Sequence, residues 1–347
     1  MVLPVICLEK MFEAGRWHLR GIRVFYILLF IAGMMIHGCM FPTVKLFTDA
    51  SDPLQEYVIE GDADEKVLVV PVYGIISDIP EKNLILSEPS MVQDVVSQLK
   101  LAEADPDVKA VLFKIDSPGG SVTASDLLYH EIKSFKERTG KKVTAVIMNV
   151  AASGGYYIAL PADWIMAHPT SITGSVGVIF LHPRFYELMD KIGVGVAAST
   201  SGENKDMGSP FRKATDAEDA IFQSLTDSLG RRFVDLVIAH RHLKPDAVAD
   251  VSTARIYLAS EALALGLIDE IGYINNAVAH TKSLAGMDEN SRVVVYRREK
   301  YPDDNLYNIQ SRYGEGVPQL IDLGLPDTGF LNRAGFYYLW PSGVNGD

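Results

Sequence analysis

The residues Ala151-Ala152-Ser153-Gly154-Gly155 put one hydroxyl among small neighbours, directly after the apolar run 143–148 and before a short helix of small residues. A serine at such a strand-to-helix turn is open to an approaching substrate backbone, and the helix N-terminus stabilises negative charge developing beside it. The commoner use of these residue types is an N-cap serine with packing glycines. A second turn, Asp116-Ser117-Pro118-Gly119-Gly120, follows the apolar strand 108–115. Its glycines can present backbone N–H groups into a cleft and, with the N–H of Gly154, form an oxyanion hole; the plain alternative is a Pro-Gly turn. The two turns gain weight together, because both follow strands that would lie side by side in a parallel sheet, where ligands bind at the strand C-termini. A third segment, Ser201 to Pro210, is a polar loop carrying Lys205, and a lysine in a loop is ordinarily a solvated charge.

Other chemistries find little support. There is no H-E-x-x-H, P-loop or G-x-S-x-G pattern. Gly193 to Ala198 fits G-x-G-x-x-A, but it follows a helix and opens a strand, the reverse of the dinucleotide context. His168, His182, His240 and His242 are scattered; a Ser-His-Asp triad stays possible, but nothing nominates one. Two cysteines, Cys7 and Cys39, make no disulfide framework or C-x-x-C site. The net charge of −12 argues against a nucleic-acid partner. No cofactor is expected.

The elements that must hold these turns alternate between strand and helix. Strands are expected at 66–74, 108–115, 143–148, 163–167, 175–180, 194–200 and 292–297, and helices at 90–103, 183–192, 215–243 and 273–285. Residues 254–272 read as strand, helix, strand, turn. One α/β domain over 66–299 follows. Residues 42–65 read as a polar linker, and 300–347 as a weakly structured tail rich in Pro, Gly, Asp and Asn.

Ahead of the domain, Val24 to Phe41 is free of Asp, Glu, Lys and Arg and is preceded by Arg16, Arg20 and Arg23. This reads as a single-pass transmembrane signal anchor, with 1–23 cytoplasmic and the domain extracytoplasmic on a cell (inner) membrane. Ile36-His37-Gly38-Cys39 is a loose lipobox-like alternative, with a histidine departing from the pattern.

Five motifs together resemble the protease IV (signal peptide peptidase A) family: A-A-S-G-G-Y-Y at 151–157, D-S-P-G-G at 116–120, T-G-S-V-G-V at 173–178, S-G-x-x-K-D-x-G-S-P at 201–210 and A-L-G-L-I-D-E-I-G at 264–272. The resemblance spans about 66–285 and implies the ClpP/crotonase-type superhelical α/β fold. It implies a Ser/Lys dyad of Ser153 and Lys205, Ser175 orienting the lysine amine, and Gly120 and Gly154 as oxyanion donors. It also implies apolar peptide substrates, such as cleaved signal peptides in the membrane, and a homo-oligomer, for which 254–272 is a candidate contact.

The chemistry such a dyad demands is specific. A lysine accepts a proton only as the neutral amine, which desolvation favours. Two other functions stand against a peptidase on the same fold: a crotonase-like acyl-CoA enzyme, which would need neither an external location nor the Lys205 loop, and an inactive scaffold, which the intact Ser153 and Lys205 disfavour.

Overall fold

The structure is a computed structural model that describes residues 52–82, 87–309 and 335–343. The expected anchor at 24–41, the segment 1–23 and both cysteines lie outside the described residues. Among the described residues no helix is long and apolar enough to cross a membrane.

Chain order runs β1 (Gln55–Glu60), β2 (Ala63–Tyr73), β3 (Glu81–Lys82), β4 (Ser87–Glu88), α1 (Met91–Ala104), β5 (Val108–Ser117), β6 (Gly119–Ser121), α2 (Val122–Thr139), β7 (Lys142–Ala152) and α3 (Gly154–Ala159). It continues through β8 (Trp164–Ala167), β9 (Ile172–Gly174), β10 (Ile179–Leu181), α4 (Tyr186–Ile192), α5 (Asp216–Arg241), α6 (Pro245–Val251) and β11 (Ile256–Leu258). It closes with α7 (Ala259–Leu265), β12 (Glu270–Ile271), α8 (Ile274–Leu284), β13 (Ser291–Arg297) and β14 (Gly335–Leu339).

The central sheet has the order β1-β13-β2-β5-β7-β8-β12, parallel from β13 to β12, with β1 antiparallel at the edge. Its middle strands are continuous β-branched runs because both faces are covered. Leu68, Val70 and Val72 of β2 face one core, with Val95, Leu128 and Phe135 of the helices. Val67 and Val69 face the other, with Ile274 and Val278 of α8. Burying each such side chain contributes roughly 1.5–3 kcal/mol, so these strands are the rigid part of the molecule. Crossover helices are capped locally: Ser90 and Gln93 form a capping box on α1, Ser121 caps α2, and Gly140 ends α2 in the left-handed region.

Four expectations need correction. Within the expected linker, Gln55–Glu60 is strand β1, paired with Ser291–Arg297; an edge strand with one solvated face reads as polar. Of the expected strand 175–180 only Ile179 and Phe180 are strand: β9 ends at Gly174, Gly174 and Ser175 both hold positive φ, 91° and 52°, and β10 begins only at Ile179. The expected strand 194–200 does not form: Val194 and Val196 alternate as a strand would, but they are about half exposed, and no strand among the described residues pairs with them. In the tail, β14 lies between β10 and β6 in a second, three-stranded sheet, and Tyr338 is fully buried there.

Candidate active site

Parallel pairing of β5 with β7 brings the two turns together, as their order in the sequence implies. The first turn is held by Ser117, whose Oγ donates to the Gly74 carbonyl at 2.6 Å and accepts from Gly119 N–H at 3.1 Å. Asp116 fastens the strand ends, its Oδ1 accepting from the Val150 N–H at 3.1 Å. Burial raises the Asp116 carboxyl above its ordinary value, against the opposing pull of that N–H and of Lys114. Beyond the turn, Ile76 clamps the glycines: its N–H donates to the Gly119 carbonyl at 2.9 Å, and the Ser121 N–H donates to the Ile76 carbonyl at 3.1 Å. Those bonds leave the Gly120 N–H aimed at the other side of β6. Neither glycine tolerates a side chain: a Cβ on Gly120 would lie 1.9 Å from the Ile76 oxygen, and Gly119 holds φ 103°.

The second turn carries Ser153 with φ 53° and ψ −117°, a conformation that L-residues rarely adopt and that costs on the order of 1–3 kcal/mol. It is fixed by a Ser153 N–H donated to the Gly174 carbonyl at 2.8 Å and by the first helical bond, from Tyr157 N–H to the Ser153 carbonyl at 2.9 Å. The Ser153 Oγ is buried and has no hydrogen-bond partner. A nucleophile presented at a strained strand-helix turn is the arrangement that hydrolase elbows use. Gly154 follows it, and a Cβ there would stand 3.1 Å from the Gly120 N, so the two glycines border one small space.

Ser175 sits one residue past the Gly174 that holds Ser153. It is half-buried, and its N–H donates to the Arg255 carbonyl at 2.8 Å. Lys205 is exposed, in a turn closed by its own N–H to the Gly202 carbonyl at 3.1 Å. Ser153, Gly154, Gly120 and the Gly174-Ser175 turn therefore converge, whereas Lys205 does not reach the Ser153 Oγ within the chain. No histidine among the described residues reaches it either: His168 contacts Thr170, His182 contacts Arg184 and His240 contacts Tyr129.

One anchor of the Lys205 loop is missing from the sequence reading. Arg212 donates to both carboxylate oxygens of Asp206, at 2.8 and 2.7 Å, and to Glu218 at the start of α5. Hydrogen bonds from Arg212, then from the Thr215 N–H, hold the Glu218 carboxyl at about 2. The Thr215-x-x-Glu218 capping box was readable as a helix start, but no spacing rule links Asp206 to Arg212. Among the described residues no group of three or more His, Cys, Asp or Glu could hold a metal ion.

Residues 81–172, which include both turns, match the family model described as Clp protease, so the α/β domain is Clp-protease-like. Residues 136–288 match the model described as Peptidase family S49. A protein of Enterococcus faecium named for signal peptide peptidase SppA is 34% identical over 255 residues, 74% of this chain and 74% of its own length. A protein of Methanocaldococcus jannaschii named as a protease is 34% identical over 215 residues, 62% of this chain and 68% of its own. Protease 4 of Haemophilus influenzae is 32% identical over 287 residues, 80% of this chain but 45% of its own. The chain belongs to peptidase family S49, the serine proteases that include signal peptide peptidase SppA.

Proposed function

We propose that this serine protease is a membrane-anchored endopeptidase working through Ser153 and Lys205. The observation that carries the reading is the strained, buried, unpartnered Ser153 hydroxyl beside the paired glycines. The Ser153 Oγ attacks the peptide carbonyl while the neutral Lys205 amine takes its proton, and Ser175 orients that amine. Charge forming on the carbonyl oxygen is met by the Gly120 and Gly154 N–H groups. The C–N bond then breaks, the lysine returns the proton to the leaving amine, and water hydrolyses the acyl-enzyme by the same steps.

Lys205 must be withdrawn from water and brought to Ser153 for this to work. Self-association does the first. The run from Phe185 to Val196 includes α4, which buries no residue and leaves Leu188 and Ile192 exposed, and it lies beside the Lys205 loop, the Phe185 N–H donating to the Pro210 carbonyl at 2.7 Å. A homo-oligomer covering this run, with 254–272 as a further contact, closes the site on the ClpP/crotonase-type superhelix. Val24 to Phe41 tethers the domain outside the cytoplasm, and the substrates are apolar peptides such as cleaved signal peptides, in keeping with the name of the Enterococcus faecium relative.

The test is hydrolysis of a leucine-rich signal-type peptide in detergent micelles by the full chain. Internal cleavage by the wild type and none by Ser153→Ala is the expected result. Equal turnover by both would remove Ser153 from the mechanism. Sedimentation of the same sample as an active monomer would remove the oligomer.

A further inference from the structure

The turn that holds Ser153 is itself held from behind. Strand β9 lies between β7, where Ala152 stands opposite Gly174, and β11, where Ile256 stands opposite the same Gly174. At the head of β11 the Arg255 carbonyl accepts the Ser175 N–H at 2.8 Å, and the Gly174 carbonyl accepts the Ser153 N–H at 2.8 Å. The backbone of Arg255 is thus linked to the nucleophile through the Gly174-Ser175 turn. Gly174 and Ser175 hold positive φ, and so does Ala254, at 60°. A residue other than glycine persists there only where its surroundings over-determine it.

The side chains around Arg255 supply that constraint. Its Nε donates to Asp250 Oδ1 at 3.1 Å, its Nη2 to Asp250 Oδ2 at 3.0 Å and its Nη1 to Glu261 Oε1 at 3.4 Å. The guanidinium carbon lies over the Tyr257 ring, 4.1 Å from its centroid. Tyr257 is buried, and its hydroxyl donates to the same Asp250 Oδ2 at 3.2 Å. Burial pushes that phenol up to about 12, so it stays a donor, while the Arg255 bonds hold the Asp250 carboxyl below its ordinary range. Asp250 also closes the chain leading to Arg255, its carbonyl accepting the Thr253 N–H at 3.1 Å. Tyr257 in turn abuts the site: a Cβ on Gly174 would stand 2.4 Å from its Cδ2.

We propose that Asp250 and Arg255 are positioning residues for the peptidase reaction. Their paired side chains, braced on Tyr257, set the Arg255 carbonyl and the Tyr257 ring, and these two fix the Gly174-Ser175 turn. Through that turn they place both the Ser153 backbone and Ser175, without touching the substrate. The inference rests on Ser153 as nucleophile and Ser175 as the group that orients the base. Its distinguishing consequence is a small effect on stability beside a large one on rate. The Arg255 and Asp250 side chains are 46% and 36% exposed, and ion pairs so open to water contribute little to folding. Small misplacements of catalytic groups, by contrast, are costly.

The experiment measures fluorophosphonate labelling of Ser153 and hydrolysis of the leucine-rich signal-type peptide by the full chain. Arg255→Met and Asp250→Asn should each lower the labelling rate and kcat about tenfold, with KM unchanged and Tm within about 4 °C of wild type. The two residues act as one unit, so the double variant should fall no further. Arg255→Lys keeps the charge without the planar fork and should lie between. Glu261→Gln, which keeps an acceptor for the Leu258 N–H, should label at the wild-type rate. Labelling of Arg255→Met at the wild-type rate, independent losses that multiply to about a hundredfold in the double variant, or an equal loss in Glu261→Gln would overturn the proposal. A loss of rate that comes only with a raised KM or a collapsed melt would overturn it as well. Absence of label on wild-type Ser153, with no hydrolysis, would instead refute the protease mechanism beneath it.

Discussion

The Ser153 N–H donates to the Gly174 carbonyl at 2.8 Å, and both residues hold φ in the left-handed half, at 53° and 91°. One strained residue thus fixes another. A Cβ on Gly174 would stand 2.4 Å from Cδ2 of Tyr257 and 2.9 Å from the Arg255 oxygen. Gly174→Ala is expected to cost on the order of 2 kcal/mol or more in a denaturant melt and to remove most activity. Gly193 also holds positive φ, 71°, but a Cβ there meets nothing within 4 Å. Gly193→Ala should cost only about 1 kcal/mol. Equal losses in the two variants would detach the Gly174 contact from the site.

The two glycines proposed as oxyanion donors, Gly120 and Gly154, should separate fold from catalysis. A Cβ on Gly120 meets backbone, the Ile76 oxygen at 1.9 Å, whereas one on Gly154 meets first the Ser125 Oγ at 2.4 Å, a side chain that can move. Gly120→Ala is therefore expected to destabilise strongly. Gly154→Ala should retain a cooperative melt while kcat falls about 10²–10³-fold, because the added Cβ, 3.1 Å from the Gly120 N, crowds the space where the oxyanion would form. A Gly154→Ala enzyme with unchanged kcat would show that the oxyanion does not form in the space between Gly120 and Gly154.

Arg212, half-buried beside the Lys205 loop, should matter for activity. It ties Asp206, the neighbour of Lys205, to Glu218. Arg212→Met should lower kcat/KM about tenfold or more, since small displacements of a catalytic group are costly, with little change in Tm. The link is pH-dependent. Glu218 has its carboxyl lowered to about 2, chiefly by Arg212, so its contribution is present above the ordinary value of 4.5 and is lost as pH falls towards 2. Limited proteolysis of the 201–210 loop should rise between pH 4.5 and 2 in the wild type, and be high throughout that window in Arg212→Met. A wild-type loop cut equally across the window would break the argument.

Much of the site was legible because its parts are local. Strands β2, β5 and β7 announce themselves as unbroken β-branched runs, and the turns that end them carry the glycines. In A-L-G-L-I-D-E-I-G the acid turns out to be structural: Asp269 accepts from Arg241 at 2.7 and 3.0 Å and from the Ile165 N–H at 2.8 Å. What was not legible depends on distant partners. Gln55–Glu60 is a strand only because Ser291–Arg297 lies beside it, and Gly335–Leu339 only because Gly119–Ser121 and Ile179–Leu181 flank it. Val194 and Val196 show the converse, a strand pattern with no partner strand among the described residues.

The central claim is that Ser153 is a nucleophile whose proton goes to Lys205. Mass spectrometry of the full chain after fluorophosphonate treatment, run beside peptide hydrolysis, tests it most directly. A single adduct on the peptide containing Ser153 is expected in the wild type and none in Ser153→Ala, which should stay folded because the hydroxyl it loses has no partner. Lys205→Ala and Lys205→Arg should label and hydrolyse at least about 10²-fold more slowly, the usual worth of a general base. Hydrolysis above about a tenth of wild type in Ser153→Ala or Lys205→Ala would contradict the account.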